Sequence, residues 1–137
     1  MKKRLFFVVL AAGMLLWGGC HRSKDVSVQR SVVTKIIVTC DDGQEQISRH
    51  YTSPEKMRPV LLYIRSVRSP FTIQPSEDAL QGRSIHITTI SADETTKVYT
   101  QRSDKYFQEG SGGWEKIDPE KAADLWDVLL SMPSDPE

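Results

Sequence analysis

Asparagine is absent from this chain of 137 residues. N-glycosylation is therefore excluded, and so is any site chemistry that depends on an asparagine side chain. Cysteine is nearly absent too, with Cys20 and Cys40 alone. No excess of positive charge exists, since 18 lysines and arginines stand against 18 aspartates and glutamates. Nucleic acid is thereby disfavoured as a partner, because phosphate binding depends on a net basic footprint. Histidine is sparse, and His21, His50 and His86 share no ligand spacing with one another or with Cys40. Zinc sites usually pair ligands about two to four residues apart, so no metal and no cofactor is expected. Gly110 to Gly113 reads as a tip between two strands, not as a phosphate loop opening a helix.

Only one long apolar run is present. Lys2, Lys3 and Arg4 precede Leu5-Phe-Phe-Val-Val-Leu-Ala-Ala-Gly-Met-Leu-Leu-Trp17, and Gly18, Gly19 and Cys20 close it. A bilayer span needs about 20 apolar residues, so the run is short for a permanent helix. Its order of positive, apolar and small residues is that of an export signal. The ending Leu16-Trp17-Gly18-Gly19-Cys20 resembles the lipobox of bacterial lipoproteins, with Trp17 where that family usually has an aliphatic residue. The resemblance implies cleavage before Cys20 and diacylglycerol on its thiol, often with a further acyl chain on the new amino terminus. Two or three chains anchor stably where one binds only marginally. An uncleaved anchor and an ordinary signal cut elsewhere are the alternatives, and each also places the domain outside the cytoplasm.

Cutting before Cys20 removes 19 of the 137 residues and three of the 18 basic ones, leaving 118 residues with 15 basic against 18 acidic groups. Lipidation leaves Cys40 as the sole thiol, without an internal disulfide partner, and its place on an apolar strand face makes it a small buried hydrophobe. The organisation expected is a signal peptide over 1–19, a lipidated flexible tether over 20–31, one domain over 32–133 and a disordered tail over 134–137. The tether expectation rests on HRSKDVSVQRS at 21–31, which has no apolar periodicity.

Val32 to Cys40 alternates and is rich in β-branched residues, Asp41-Asp42-Gly43 signals a hairpin, and Glu45 to Tyr51 returns as a polar edge strand. Thr52 or Ser53 can cap a short turn over 54–58, and Pro59 then opens a helix to Val67 with Val60, Leu61, Ile64 and Val67 buried. Residues 68–82 read as loop. Strands follow at 84–90, 97–101, 105–109 and 114–117. A last helix is capped by Asp118, starts at Pro119 and buries Ala122, Leu125, Trp126 and Leu129 until Met132-Pro133 stops it. The fold class is α+β: an antiparallel sheet of about 4–6 strands with two helices on one face, in the order ββα-ββββ-α.

Candidate chemistry is thin. Ser53-Pro54-Glu55-Lys56 matches the S-x-x-K of penicillin-binding enzymes, but S-D-N and K-T-G are both missing, so the segment reads as a helix start. Asp118, Glu120, Asp124 and Asp127 read as a solvated helix face. Asp41-Asp42-Gly43 lacks the order of a calcium loop. No catalytic residue is assigned. Tyr106, Phe107 and Trp114 gather around the glycine-rich tip and form a candidate contact surface, with at least one of Phe107 and Trp114 expected in the core.

The expected function is a non-enzymatic, lipid-anchored extracytoplasmic interaction module. Its partners are the membrane, through the lipid, and an envelope protein or peptide joined by strand addition. In general shape the domain resembles small envelope lipoprotein domains, and similar hairpin-and-helix architectures occur in assembly factors and proteinaceous inhibitors. The alternatives are a small envelope hydrolase using dispersed acids with His50 or His86, and a regulatory partner of a membrane protein.

Overall fold

Alternation in the β-branched runs and two amphipathic stripes build the molecule. The computed structural model describes residues 32–136. In chain order it contains β1 (Val33–Asp41), β2 (Gln46–Tyr51), α1 (Pro54–Val67), β3 (Thr72–Ile73), a single 3-10 turn (Asp78–Leu80), β4 (Ser84–Ser91), β5 (Thr96–Arg102), β6 (Tyr106–Glu109), β7 (Trp114–Lys116) and α2 (Pro119–Ser131). The seven strands form one antiparallel sheet in the order β2-β1-β4-β5-β6-β7-β3. This is the expected α+β class with its two helices. The strand beyond the expected range is β3, inside the segment read as loop. Two residues are too few to show a period of two, and only pairing with β7 (Thr72 opposite Glu115, Ile73 opposite Trp114) makes them a strand.

Register puts one apolar row after another on the helix-covered face. Ile36, Val38 and Cys40 of β1 lie opposite Thr89, Ile87 and Ile85 of β4, and Ile87 and Ile85 lie opposite Tyr99 and Gln101 of β5. All of these are buried, and Phe107 on β6 is fully so. From the helices, Met57, Val60, Tyr63, Ile64 and Val67 of α1 and Ala122, Leu125, Trp126 and Leu129 of α2 close the core. Cys40 is buried with its thiol free, as its alternation in β1 requires.

Helix α1 begins earlier than expected. Pro59 lies inside it, not at its start. A proline in a helix interior costs about 3 kcal/mol or more, yet here one backbone hydrogen bond is lost near the amino end. Met57 lies before the proline and Val60 just after it, both on the core side. Burial of such side chains contributes roughly 1.5–3 kcal/mol each, so the stripe carries the helix through the proline. Topology adds a reason: α1 must take the chain from edge strand β2 to edge strand β3.

Helix α2 follows its local signals. Asp118 Oδ1 accepts the Glu120 N–H at 2.9 Å, and Pro119 fills the first turn. No described helix is long and apolar enough to cross a membrane.

Candidate functional site

Alternation separates the aromatic trio. Phe107 points into the core, stacked on Tyr99 at 5.7 Å and edge-on to Tyr63 at 6.4 Å between ring centroids. It is removed from the candidate contact surface, because its neighbour Tyr106 takes the opposite face. Trp114 shares that opposite face with Tyr106, since the residue after it, Glu115, is buried opposite Phe107. Ile73, paired with Trp114, is 41% exposed, and Phe71 just before β3 is 77% exposed. Among the described residues no helix covers this face, which also carries His86, Thr88, Val98 and Thr100. The aromatic end of an open sheet face is the first candidate surface.

Behind it stands a charged clamp. Glu115, 4% exposed, receives Arg68 in a forked pair, Nε to Oε1 at 3.0 Å and Nη2 to Oε2 at 2.8 Å, and the Ser69 N–H at 2.7 Å. Burial acts to raise the Glu115 carboxyl, but these hydrogen bonds and the guanidinium charge outweigh it and hold the group below its ordinary 4.5. The clamp fixes the end of α1 to β7, directly under Trp114.

A second feature lies at the far edge of the sheet. The residues after α2, expected as a disordered tail, are tied to β2 and to the start of α1. The Asp135 N–H donates to the His50 carbonyl at 2.9 Å, and the His50 N–H donates to Ser134 Oγ at 3.0 Å. Asp135 Oδ2 accepts the Thr52 and Ser53 N–H groups, each at 2.8 Å, and the Ser53 hydroxyl at 2.9 Å. Lys56 Nζ lies 3.1 Å from Asp135 Oδ1 and 2.9 Å from the Pro133 carbonyl. Hydrogen bonds from the Ser53 and Thr52 N–H groups, then from Lys56 and the Ser53 hydroxyl, hold the Asp135 carboxyl well below the usual carboxylate range. Ser53 is the residue before the helix, but its own side chain makes no cap; Asp135, 82 residues away, instead fixes the two residues that lead into α1.

That arrangement settles what Ser53 and Lys56 do locally. Their hydroxyl and ammonium both engage one carboxylate, so the lysine is not placed to take a proton from the serine. Among the described residues neither His50 nor His86 pairs its ring with a carboxylate. His86 is exposed, with Nδ1 3.4 Å from Thr100 Oγ1, and the buried Nδ1 of His50 has no hydrogen-bond partner among the described residues. Asp42 serves the β1–β2 turn, accepting the Gln44 and Glu45 N–H groups at 2.9 and 2.8 Å.

Two hollows remain. A polar cleft of about 480 Å³ is lined by Asp42, Asp78, Arg83, Ser103, Asp104 and Lys105 among others. Within it Arg83 pairs with Asp104 at 2.7 Å and covers the Trp126 ring at 4.3 Å. A shallow apolar groove of about 290 Å³ runs between α1 and α2 past Leu62, Tyr63, Leu125 and Val128. No cluster of three histidine, cysteine or acidic side chains suited to a metal occurs among the described residues. Cys20, the expected signal segment and the expected tether lie outside the described residues.

No protein-family model, curated protein or solved structure matches this chain. Sequence reasoning missed the seat of Asp135 on Thr52, Ser53 and Lys56, because a contact made across 82 residues leaves no local pattern to read.

Proposed function

We propose that this chain is a non-enzymatic, lipid-anchored interaction module, held at the outer side of a membrane through Cys20, whose partner is an envelope protein or peptide. The supporting observation is the open sheet face ending in Tyr106, Trp114 and Ile73. Aromatic side chains with an apolar body and a polar tip act as anchors in interfaces, where each good one contributes a large share of the binding energy. The clamp between Arg68 and Glu115 keeps the strand beneath Trp114 in place, so the surface is presented preformed.

The anchor and the surface are tested separately. Radiolabelled palmitate should enter the wild-type chain and not the Cys20→Ser variant, which should leave the membrane fraction; equal labelling of both would remove the lipid anchor. A photo-crosslinking residue placed at Trp114 should yield a discrete adduct in native membranes. The same group at Leu62, 54% exposed on α1, should yield none. Equal yields at both positions would count against the aromatic face.

A further inference from the structure

Among the described residues, the outer edge of β2 is the longest strand edge left open. β2 pairs with β1 alone, whereas the opposite edge strand, β3, has two residues. Alternation along an antiparallel pair sends the backbone groups of every second residue outward. His50 is one such residue, because both its N–H and its carbonyl meet the segment after α2. By the same alternation Ser48 and Gln46 offer theirs outward, and no described element pairs with them.

The segment after α2 therefore lies along this edge, held by one backbone hydrogen bond from Asp135 and by the Ser134 hydroxyl. Ser134 meets the N–H side of His50 and Asp135 its carbonyl side, so the segment runs in the direction of β2. Asp135 then places its carboxylate on the Thr52 and Ser53 N–H groups and on Lys56. Pairing stops at His50 because Pro133 has no N–H and the chain must turn back to join α2 at Ser131. Charge favours the same occupant: Lys56 pairs with Asp135 and Arg49 lies on β2, against Glu55 alone at the start of α1, while the segment is Ser-Asp-Pro-Glu.

We propose that the segment around Ser134 and Asp135 is a displaceable strap on a peptide-binding edge. The partner would present an extended acidic segment with an aspartate after a small hydroxyl residue, taking the carboxylate seat of Asp135 and extending along Ser48 and Gln46. This rests on reading the chain as an interaction module and names the partner's chemistry and how its entry is gated. A strap tethered in cis acts at an effective concentration on the order of millimolar, so it excludes weak peptides and yields to longer ones that pair beyond His50.

The test uses the full chain in detergent and a fluorescent peptide with the sequence of residues 131–137. Anisotropy should show binding at least about tenfold tighter to a chain stopped after Met132 than to the intact chain. Asp135→Ala in the full-length chain should open the edge in the same direction, which keeps the test valid if the shortened chain folds poorly. Adding Lys56→Ala to either variant, or replacing the peptide's aspartate with alanine, should cost at least tenfold in affinity. Absence of peptide binding to both opened chains, with native circular dichroism, would overturn the proposal. So would concentration-dependent dimers of the intact chain that vanish on Asp135→Ala, since they would assign the edge to a second copy. If the peptide fails to bind while the Trp114 adduct persists, the strap falls and the open-face reading stands. Binding without the adduct gives the reverse.

Discussion

Individual side chains in this domain hold their places by burial, and two of them report it directly. Burial pushes the Cys40 thiol up to about 11, with the charges of Arg49 and Arg83 opposing only in part. At pH 8 the thiolate is scarce and the sulfur is shielded, so iodoacetamide should label Cys40 only on unfolding. Labelling of the native protein at the rate of a free thiol would place Cys40 outside the core. The other reporter is Gln101, 1% exposed on β5, whose Oε1 accepts the Tyr63 hydroxyl while its Nε2 has no partner among the described residues. Gln101→Met alone strands the Tyr63 hydroxyl and should cost roughly 1–3 kcal/mol in urea unfolding. Gln101→Met with Tyr63→Phe removes both ends of the bond and should recover most of that loss. A double variant no better than the single one would show that the pair does more than satisfy its own polarity.

Single elements show where a local pattern suffices and where a neighbour decides. Helix α2 has its cap, its first-turn proline and its buried stripe within its own sequence, and all four stripe residues lie in the core. Helix α1 lacks a side-chain cap from Ser53 and runs through Pro59 on the strength of its buried stripe, while Asp135 holds the two residues that lead into it. Strand β3 depends on its neighbour more sharply. A Cβ built on Gly113 would lie 2.8 Å from the Thr72 Cβ, so only glycine lets β3 come this close to the turn before β7. Gly113→Ala should destabilise the domain by roughly 1–3 kcal/mol, the usual cost of overpacking. Hydrogen exchange at Thr72 and Ile73 should speed up, and Thr72→Gly should restore part of the stability. Unchanged exchange would mean that β3 is not held by that contact.

At the scale of the whole molecule, two depressed carboxylates join distant parts of the chain: Glu115 ties β7 to the end of α1, and Asp135 ties the strap to β2 and the start of α1. A carboxyl held lower in the folded state than in the unfolded one contributes stability that is full above its ordinary value and is lost as pH falls. Stability to urea should thus hold near neutral pH and decline as pH falls past about 4.5 for Glu115 and 3.8 for Asp135. In Glu115→Gln the acid limb should be shallower; an identical limb in both proteins would show that the clamp contributes nothing to the linkage. Legible in the local pattern were the α+β class, the alternating strands β1, β2, β4 and β5, the edge character of β2, the buried Cys40 and the whole of α2. Each of these rests on a period of two or 3.6 or on a cap within one turn. Which of Tyr106, Phe107 and Trp114 face outward was settled by tertiary packing, because the parity of a strand is fixed by what packs on it. Tertiary structure alone produced β3, carried α1 through Pro59 and seated Asp135 on the edge of β2, since those contacts join residues far apart in the chain and leave no local trace.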